Sequence, residues 1–187
     1  GVLPFVEKQF NLTPLQEGWF VSSALVGCIV GVAFSGDLSD RLGRKKLLFI
    51  SAVLFLFSAI GCSLVTSLDW LIASRLLGGI GVGIASIVVP LYLSEISPAA
   101  IRGRLVTFYQ LAITVGILMA YITNSVLLNY SEHHTATSGL IDLVYIKEIW
   151  RGMFSIGGVL ATLFLIGLFF VPESPRWLIK KGRNLEG

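Results

Sequence analysis

The chain has 187 residues, of which 55% are hydrophobic and only 13% are charged, and its mean hydropathy is +0.83. Soluble domains carry about 25% charged residues, so the composition excludes an ordinary soluble domain and indicates a membrane protein. The net charge of +3 is small, and its meaning depends on the side of the membrane on which the basic residues lie.

Five apolar stretches follow one another along the chain. A bilayer core about 30 Å thick needs roughly 20 apolar residues in a helix, and each stretch is long enough. Buried helices of soluble proteins rarely run so far without charge, so the pattern predicts five membrane-spanning helices. Their predicted bounds are residues 18–36, 47–68, 70–94, 105–128 and 150–172.

Lys and Arg are concentrated in three segments that alternate with the predicted spans: residues 37–46, residues 94–104 and the tail after residue 172. The positive-inside rule places these segments in the cytoplasm. The first 17 residues then lie outside, and they are too polar to cross the membrane. We therefore expect a further helix before Gly1 and interpret the chain as most of a six-helix half of a larger protein.

Tryptophan and cysteine positions add two smaller expectations. Trp19, Trp70 and Trp150 lie near the outer ends of their spans, where interfacial anchors are expected. Cys28 and Cys62 lie inside apolar stretches. They could pair only if adjacent helices aligned them, so buried free thiols are the expected state.

Small residues recur at every fourth position of the first span, from Ser23 to Ser35. Helices in lipid approach closely only where side chains are small, so this face should pack against a neighbouring helix. Similar patterns in the third and fourth spans predict a bundle without indicating a function. They consist of Gly79 and Gly83, and of Ala112, Gly116 and Ala120.

One dense group of charges, GDLSDRLGRKKLL at residues 36–48, separates the first two spans. Taken as a basic patch alone, it would serve only to orient the chain in the membrane. Its interleaved acids and the spacing of Asp40 and Arg44 exceed what orientation requires. A short loop would let these two side chains approach each other and the helix ends.

This group and three later motifs together resemble a known family. The later motifs are PLYLSEISPAAIRGRL at 90–105, YQLAITVGI at 109–117 and PESPRWL at 172–178. In order and spacing they are similar to the signatures of the sugar porter family of the major facilitator superfamily, and the match covers residues 36–178. The chain is thereby identified as a member of that family.

The resemblance implies an all-α integral membrane fold. The chain would form the N-terminal six-helix bundle of a twelve-helix protein, with most of the first helix preceding Gly1, so that the predicted spans are helices two to six. Residues 174–187 would begin a cytoplasmic helix. Ser174 is its expected N-cap and Pro175 its first residue, with Trp177 and Leu178 against the bundle or the interface.

Gln110 lies about five residues into an otherwise apolar span. A buried amide needs partners, and a carboxamide both donates and accepts hydrogen bonds, as a sugar hydroxyl requires. From the residues alone, the favoured interpretation is that it holds two helices together. The resemblance implies that Gln110 lines a sugar cavity, with Ile113 and Ile117 as apolar cavity positions on the same helix face.

Arg75 is the only charged residue in the interior of a predicted span. Such residues are costly in a bilayer and usually functional, although a position near the outer end also allows the side chain to reach the headgroups. In proton-coupled sugar porters, an arginine here pairs with an acid on the first helix. That acid would precede Gly1, so the sequence leaves symport and uniport open.

Seven charges at the cytoplasmic side read individually as ordinary loop charges, and exposed pairs of this kind contribute little. The resemblance implies that they form a gate that closes the cytoplasmic side and opens during transport. These residues are Asp40, Arg44, Glu95, Arg102, Arg104, Glu173 and Arg176.

The function implied by the family is transport of a monosaccharide or polyol by alternating access, with or without proton coupling. The expected partners are the sugar, a proton in the coupled case, the bilayer of a plasma or cell inner membrane, and a C-terminal half of the same protein. No enzyme activity, cofactor, metal or nucleic-acid partner is expected. Two alternatives stay open: a sugar sensor of transporter ancestry, and a carrier of the same fold for a non-sugar solute.

Overall fold

The computed structural model describes residues 3–64, 67–133 and 149–182, and within these ranges the regular structure is entirely helical. The helices are α1 (Leu3–Phe10), α2 (Pro14–Leu42), α3 (Arg44–Leu64), α4 (Leu68–Ile96), α5 (Arg102–His133), α6 (Ile149–Phe169) and α7 (Pro175–Lys180). Among these described helices, α2 to α6 are long and apolar enough to cross a membrane, which confirms the predicted five spans.

Helix α2 extends beyond its predicted bounds at both ends. It begins at Pro14 because Thr13 and Gln16 form a reciprocal cap, in which the Gln16 Oε1 accepts from the Thr13 backbone nitrogen at 3.0 Å. At the other end it continues to Leu42, through most of the segment expected to be a loop. Residues 36–42 contain no proline, and an Asp37–Arg41 ion pair of 2.9 Å supports this last exposed turn.

The most extensive helix contact joins α2 to α4, as the small residues predict. A Cβ atom on Gly27 of α2 would collide with the carbonyl oxygen of Leu76, and one on Gly79 of α4 would collide with that of Ala24. Gly31 and Gly83 make equally close approaches further along the helices. We call this backbone-to-backbone contact the glycine seam.

Helix α3 packs against both α4 and α6, and the buried side chains form two separate cores. One core lies toward the basic end of the bundle, which the positive-inside rule assigns to the cytoplasm. The other lies at the opposite end, and we call it the outer core. Its buried members come from five helices: Val6, Phe20, Cys62, Leu71 and Trp150.

The outer core changes the place expected for Trp150. Trp19 and Trp70 are exposed as interfacial anchors should be, but Trp150 is only 1% exposed. Helix α1, which lies before the first span, covers it, and the ring of Phe10 meets the indole edge to face at a centroid distance of 6.4 Å. Trp150 is therefore a packing residue of the outer core.

The two cysteines are as expected, whereas the small residues of α5 do not pack against another described helix as their pattern predicted. Cys28 and Cys62 are free thiols, as expected, and Cys62 is fully buried while Cys28 is half-buried. Helix α5 makes only minor contacts with α4 and α6, and its predicted small-residue face is exposed. A Cβ atom on Gly116 would meet nothing within 4 Å in the described part of the chain.

The glycine seam yields a direct test of α2–α4 packing. Gly27→Ala should lower the free energy of unfolding by about 1–3 kcal/mol, because the new methyl group meets backbone atoms that cannot move aside. Gly18→Ala on the same helix is the matched control, since a Cβ there meets nothing within 4 Å. Thermal unfolding in detergent micelles measures both, and equal melting temperatures for the two variants would contradict the packing.

Candidate functional site

The candidate site at the cytoplasmic end is built around Arg44, the first residue of α3. Its side chain is only 8% exposed, although it carries a permanent charge. It follows Gly43, the single residue between α2 and α3, whose φ of +99° favours glycine. The one-residue junction places the guanidinium between the end of α2 and the end of α4.

Three acceptors surround this guanidinium. The Nη2 atom donates to Glu95 Oε1 at 2.9 Å and lies 3.0 Å from Asp40 Oδ1, and Nη1 donates to the Ser39 carbonyl at 3.1 Å. The Glu95 side chain is also 8% exposed, so both members of the Arg44–Glu95 pair are withdrawn from water. A buried pair of this kind is costly to break, because the remaining charge stays buried without compensation.

Ser174 links Glu95 to the segment after α6. Its hydroxyl donates to Glu95 Oε2 at 2.5 Å and also accepts from the backbone nitrogen of Trp177 at 3.4 Å, so Ser174 is the N-cap of α7 as expected. Both oxygens of the Glu95 carboxylate therefore have hydrogen-bond donors. This arrangement connects the ends of α3, α4 and α7 through one carboxylate.

Glu173 binds the beginning of α3. Its Oε1 accepts from the backbone nitrogen of Lys45 at 3.0 Å and from that of Ser174 at 2.9 Å. The first nitrogens of a helix lack partners within the helix and carry the positive end of its dipole, so a carboxylate stabilises them. A Cβ atom on Gly43 would lie 2.7 Å from Glu173 Oε2, which gives a second reason for glycine at the junction.

Three more side chains join these helix ends, and of these the sequence led us to expect only Trp177 against the bundle or the interface. The indole nitrogen of Trp177 donates to the Asp40 carbonyl at 2.8 Å, and Lys180 Nζ donates to Asp40 Oδ2 at 3.0 Å. The Tyr92 hydroxyl donates to the Pro172 carbonyl at 2.8 Å. Tyr92 and Trp177 lie inside the motifs at 90–105 and 172–178, so the motifs could have indicated them. Lys180 lies outside both motifs.

The structure brings four of the seven predicted gate residues together: Asp40, Arg44, Glu95 and Glu173. We call these four residues, together with Ser174, the cytoplasmic cluster. Arg104 and Arg176 are exposed and form no ion pair within the described ranges. Arg102 is half-buried, and its Nε is buried without a hydrogen-bond partner there. The gating role of all seven stays a prediction.

Arg75 lies near the other end of the glycine seam. Its Nε donates to the Phe20 carbonyl at 3.0 Å, and its Cζ lies 4.4 Å from the centroid of the Phe20 ring. A cation over an aromatic ring gains about 0.5–2 kcal/mol, the larger value when it is desolvated. Within the described residues its terminal amino groups make no hydrogen bond, and the side chain borders an apolar cavity among α2, α3, α4 and α6.

Gln110 lies on a face of α5 that the other described helices leave open. Its side chain is exposed, and the described residues provide no hydrogen-bond partner for its amide. Ile113 and Ile117 on the same face are 39% and 55% exposed. The three residues thus form an open surface with one amide beside two apolar side chains.

The fold and the geometry of these sites define a class of protein. The chain is a multi-pass membrane bundle with a buried charge at one end of a closely packed helix pair and a half-buried charge at the other. The described residues also show a helix face with an exposed amide. A family model described as "Sugar (and other) transporter" matches residues 6–187. The chain therefore belongs to this transporter family, which confirms the resemblance seen in its motifs.

Curated relatives are similar over nearly the whole chain. The arabinose-proton symporter of Escherichia coli (strain K12) is 40% identical over 186 residues, and the galactose-proton symporter of the same strain is 42% identical over 186 residues. Each match covers 100% of this chain and 36% of the relative. The D-xylose transporter of Levilactobacillus brevis is 40% identical over 97% of this chain and 36% of the relative. The chain thus spans about a third of the length of these relatives.

Solved structures agree with the fold. The xylose transporter XylE from E. coli, in a partially occluded inward open conformation, superposes with a TM-score of 0.82 at 34% identity, covering 97% of this chain and 48% of that chain. XylE bound to 6-bromo-6-deoxy-D-glucose gives 0.83 at 36% identity, covering 97% and 42%. The predicted fold, the N-terminal bundle of a major facilitator protein, is confirmed.

Removing one partner of the buried ion pair tests the cytoplasmic cluster. Glu95→Ala should lower the free energy of unfolding by about 3–5 kcal/mol, because Arg44 stays buried without its main counter-charge. Arg41→Ala is the control, since the Arg41–Asp37 pair is mostly exposed and worth at most about 1 kcal/mol. Unfolding in mixed detergent–dodecyl sulfate micelles measures both, and a Glu95 effect no larger than that of Arg41 would refute the buried pair.

Proposed function

We propose that the natural full-length protein transports a monosaccharide or polyol across the membrane by alternating access and couples this to proton movement. The observation that carries the proposal is the 40–42% identity of the chain to symporters whose names give arabinose or galactose with a proton. The proposed site lies between this bundle and a second bundle, since transporters of this type bind substrate at the midplane between repeats.

Gln110, Ile113 and Ile117 are the proposed contribution of this chain to the sugar site. The exposed amide of Gln110 can donate to one sugar hydroxyl and accept from another. The exposed isoleucines supply apolar contact for the carbon face of the ring. A concave site of mainly apolar residues with few polar groups is typical of small-molecule binding.

Arg75 is the proposed proton-coupling residue. A guanidinium held inside the membrane attracts an acidic partner and favours the ionised form of that acid. The terminal amino groups of Arg75 have no hydrogen-bond partner within the described residues, so they are available to such an acid. Protonation of the acid would weaken this attraction, which would link proton binding to the conformation of the bundle.

The proposed role of the cytoplasmic charges divides them into two groups. Asp40, Arg44, Glu95 and Glu173 hold the ends of this bundle together, as their contacts within the chain suggest. The exposed arginines Arg104 and Arg176 are proposed to reach acids of the second bundle when the cytoplasmic side is closed. Arg102 is proposed to support Arg104 from the same end of α5.

Uptake by the full-length protein in proteoliposomes tests the function. Radiolabelled arabinose, galactose and xylose are supplied with and without a pH gradient that is acidic outside and drives protons inward. We expect saturable uptake of at least one of them, increased by the gradient. Gln110→Ala should raise its KM about tenfold, because losing one hydrogen bond to a sugar costs about 1–2 kcal/mol. Absence of saturable uptake for these three sugars and for a panel of further monosaccharides and polyols would reject the proposal and favour the sensor or non-sugar carrier.

Neutralising Arg104 tests the proposed gate. In the full-length protein, Arg104→Gln should shift the resting population toward the state open to the cytoplasm, because one contact between the bundles is lost while packing within this bundle is unchanged. Labelling of an introduced cavity cysteine from the cytoplasmic side measures the shift. Arg41→Gln, which is paired within its own helix, is the matched control and should label at the wild-type rate. Unchanged labelling of Arg104→Gln would count against the gate.

A further inference from the structure

Both contacts that hold the Arg75 guanidinium come from a single residue of α2. The Phe20 carbonyl accepts from Nε at 3.0 Å, and the Phe20 ring lies beneath the cation at 4.4 Å. One contact fixes an edge of the planar group and the other fixes its face. The rotation of the guanidinium, and therefore the direction of its terminal amino groups, is determined by Phe20.

The glycine seam makes this arrangement possible. The Nε atom is only four bonds from the Cα atom of Arg75, so it reaches a carbonyl of the next helix only where the two backbones are close. Gly79 lies one turn further along α4, and a Cβ atom there would collide with the carbonyl oxygen of Ala24. The same carbonyl of Phe20 also accepts from Ser23 Oγ at 2.9 Å, which fixes its direction further.

Phe20 is itself immobilised by the outer core. Its side chain is 2% exposed, and it belongs to the same core as Val6 of α1 and Trp150 of α6, which are 0% and 1% exposed. Close-packed residues of this kind have almost no room to change rotamer. The position of Phe20, and through it that of Arg75, thus depends on four other helices, including the short helix α1.

We propose that Phe20 is a positioning residue that holds Arg75 in the orientation needed for proton coupling, and that its aromatic ring is required for this beyond its volume. The inference rests on the proposed proton-coupled function. An ordinary core residue would be replaceable by an aliphatic residue of similar size. A positioning residue would not be, because only an aromatic face attracts the cation.

Two transport measurements on the full-length protein distinguish a positioning role of Phe20 from an ordinary packing role. Accumulation of labelled sugar under a pH gradient requires proton coupling. Exchange of labelled for unlabelled sugar without a gradient requires alternating access but no net proton movement. The sugar used is whichever of arabinose, galactose and xylose the wild-type protein takes up fastest, and rates are expressed per amount of folded protein.

Phe20→Leu should lower gradient-driven accumulation about tenfold or more, since small displacements of a reacting group have effects of this size. Exchange should stay within about twofold of wild type. Phe20→Tyr keeps the aromatic face and should stay within about twofold in both assays. Val88→Ala is the matched control: it loosens the other core, toward the cytoplasmic end of α4 and away from the cation, and should not separate the two activities.

The inference is overturned if Phe20→Leu retains accumulation, if it loses accumulation and exchange together, or if Val88→Ala produces the same separation. Should Phe20→Leu fail to fold, Phe20→Met takes its place, because methionine fills buried volume without an aromatic face. A wild-type protein without gradient-dependent uptake would reject the proposed function itself. That result differs from a coupled wild type with an unaffected Phe20→Leu variant, which rejects only the role of Phe20.

Discussion

The close approach of α2 and α4 along the glycine seam is the constraint on which the other contacts depend. Gly27 and Gly79 bring backbone against backbone, which lipid alone would not favour, because lipid tails are as apolar as leucine side chains. Dispersion contacts and the absence of intervening side chains hold the pair together. One end of the helix pair then carries the buried Arg44 and the other end the half-buried Arg75, and both cations depend on the spacing that the seam sets.

The two cations are stabilised by different chemistry. At the cytoplasmic end, Arg44 is neutralised by two carboxylates, and each carboxylate oxygen of Glu95 has a donor. At the outer end, Arg75 is held by an aromatic ring and a carbonyl without full neutralisation in the described residues. The first arrangement suits a rigid support. The second suits a group that responds to a titrating partner, because its charge is still available.

The sequence predicted the spans and the seam because both follow from local patterns: apolar runs of membrane length, and small residues four apart from Ser23 to Ser35. It also predicted the approach of Asp40 and Arg44, because only a short connection separates them along the chain. It did not predict the burial of Trp150 or the bond from Trp177 to Asp40, which joins residues 137 positions apart. Such contacts depend on how whole helices are arranged, and no local pattern encodes them. The side-chain amide of Gln110 has no hydrogen-bond partner within the described residues, so its role rests on the family resemblance.

The junction at Gly43 has a consequence for how the chain tolerates change in length. Only this residue separates two long helices, so the rotational register of α3 is tied directly to that of α2. Each residue of an α-helix turns the chain by about 100°. Inserting or deleting one residue here would rotate Arg44 away from Glu95 and carry the Lys45 nitrogen away from Glu173. The number of residues at this junction is therefore specified as strictly as their chemistry.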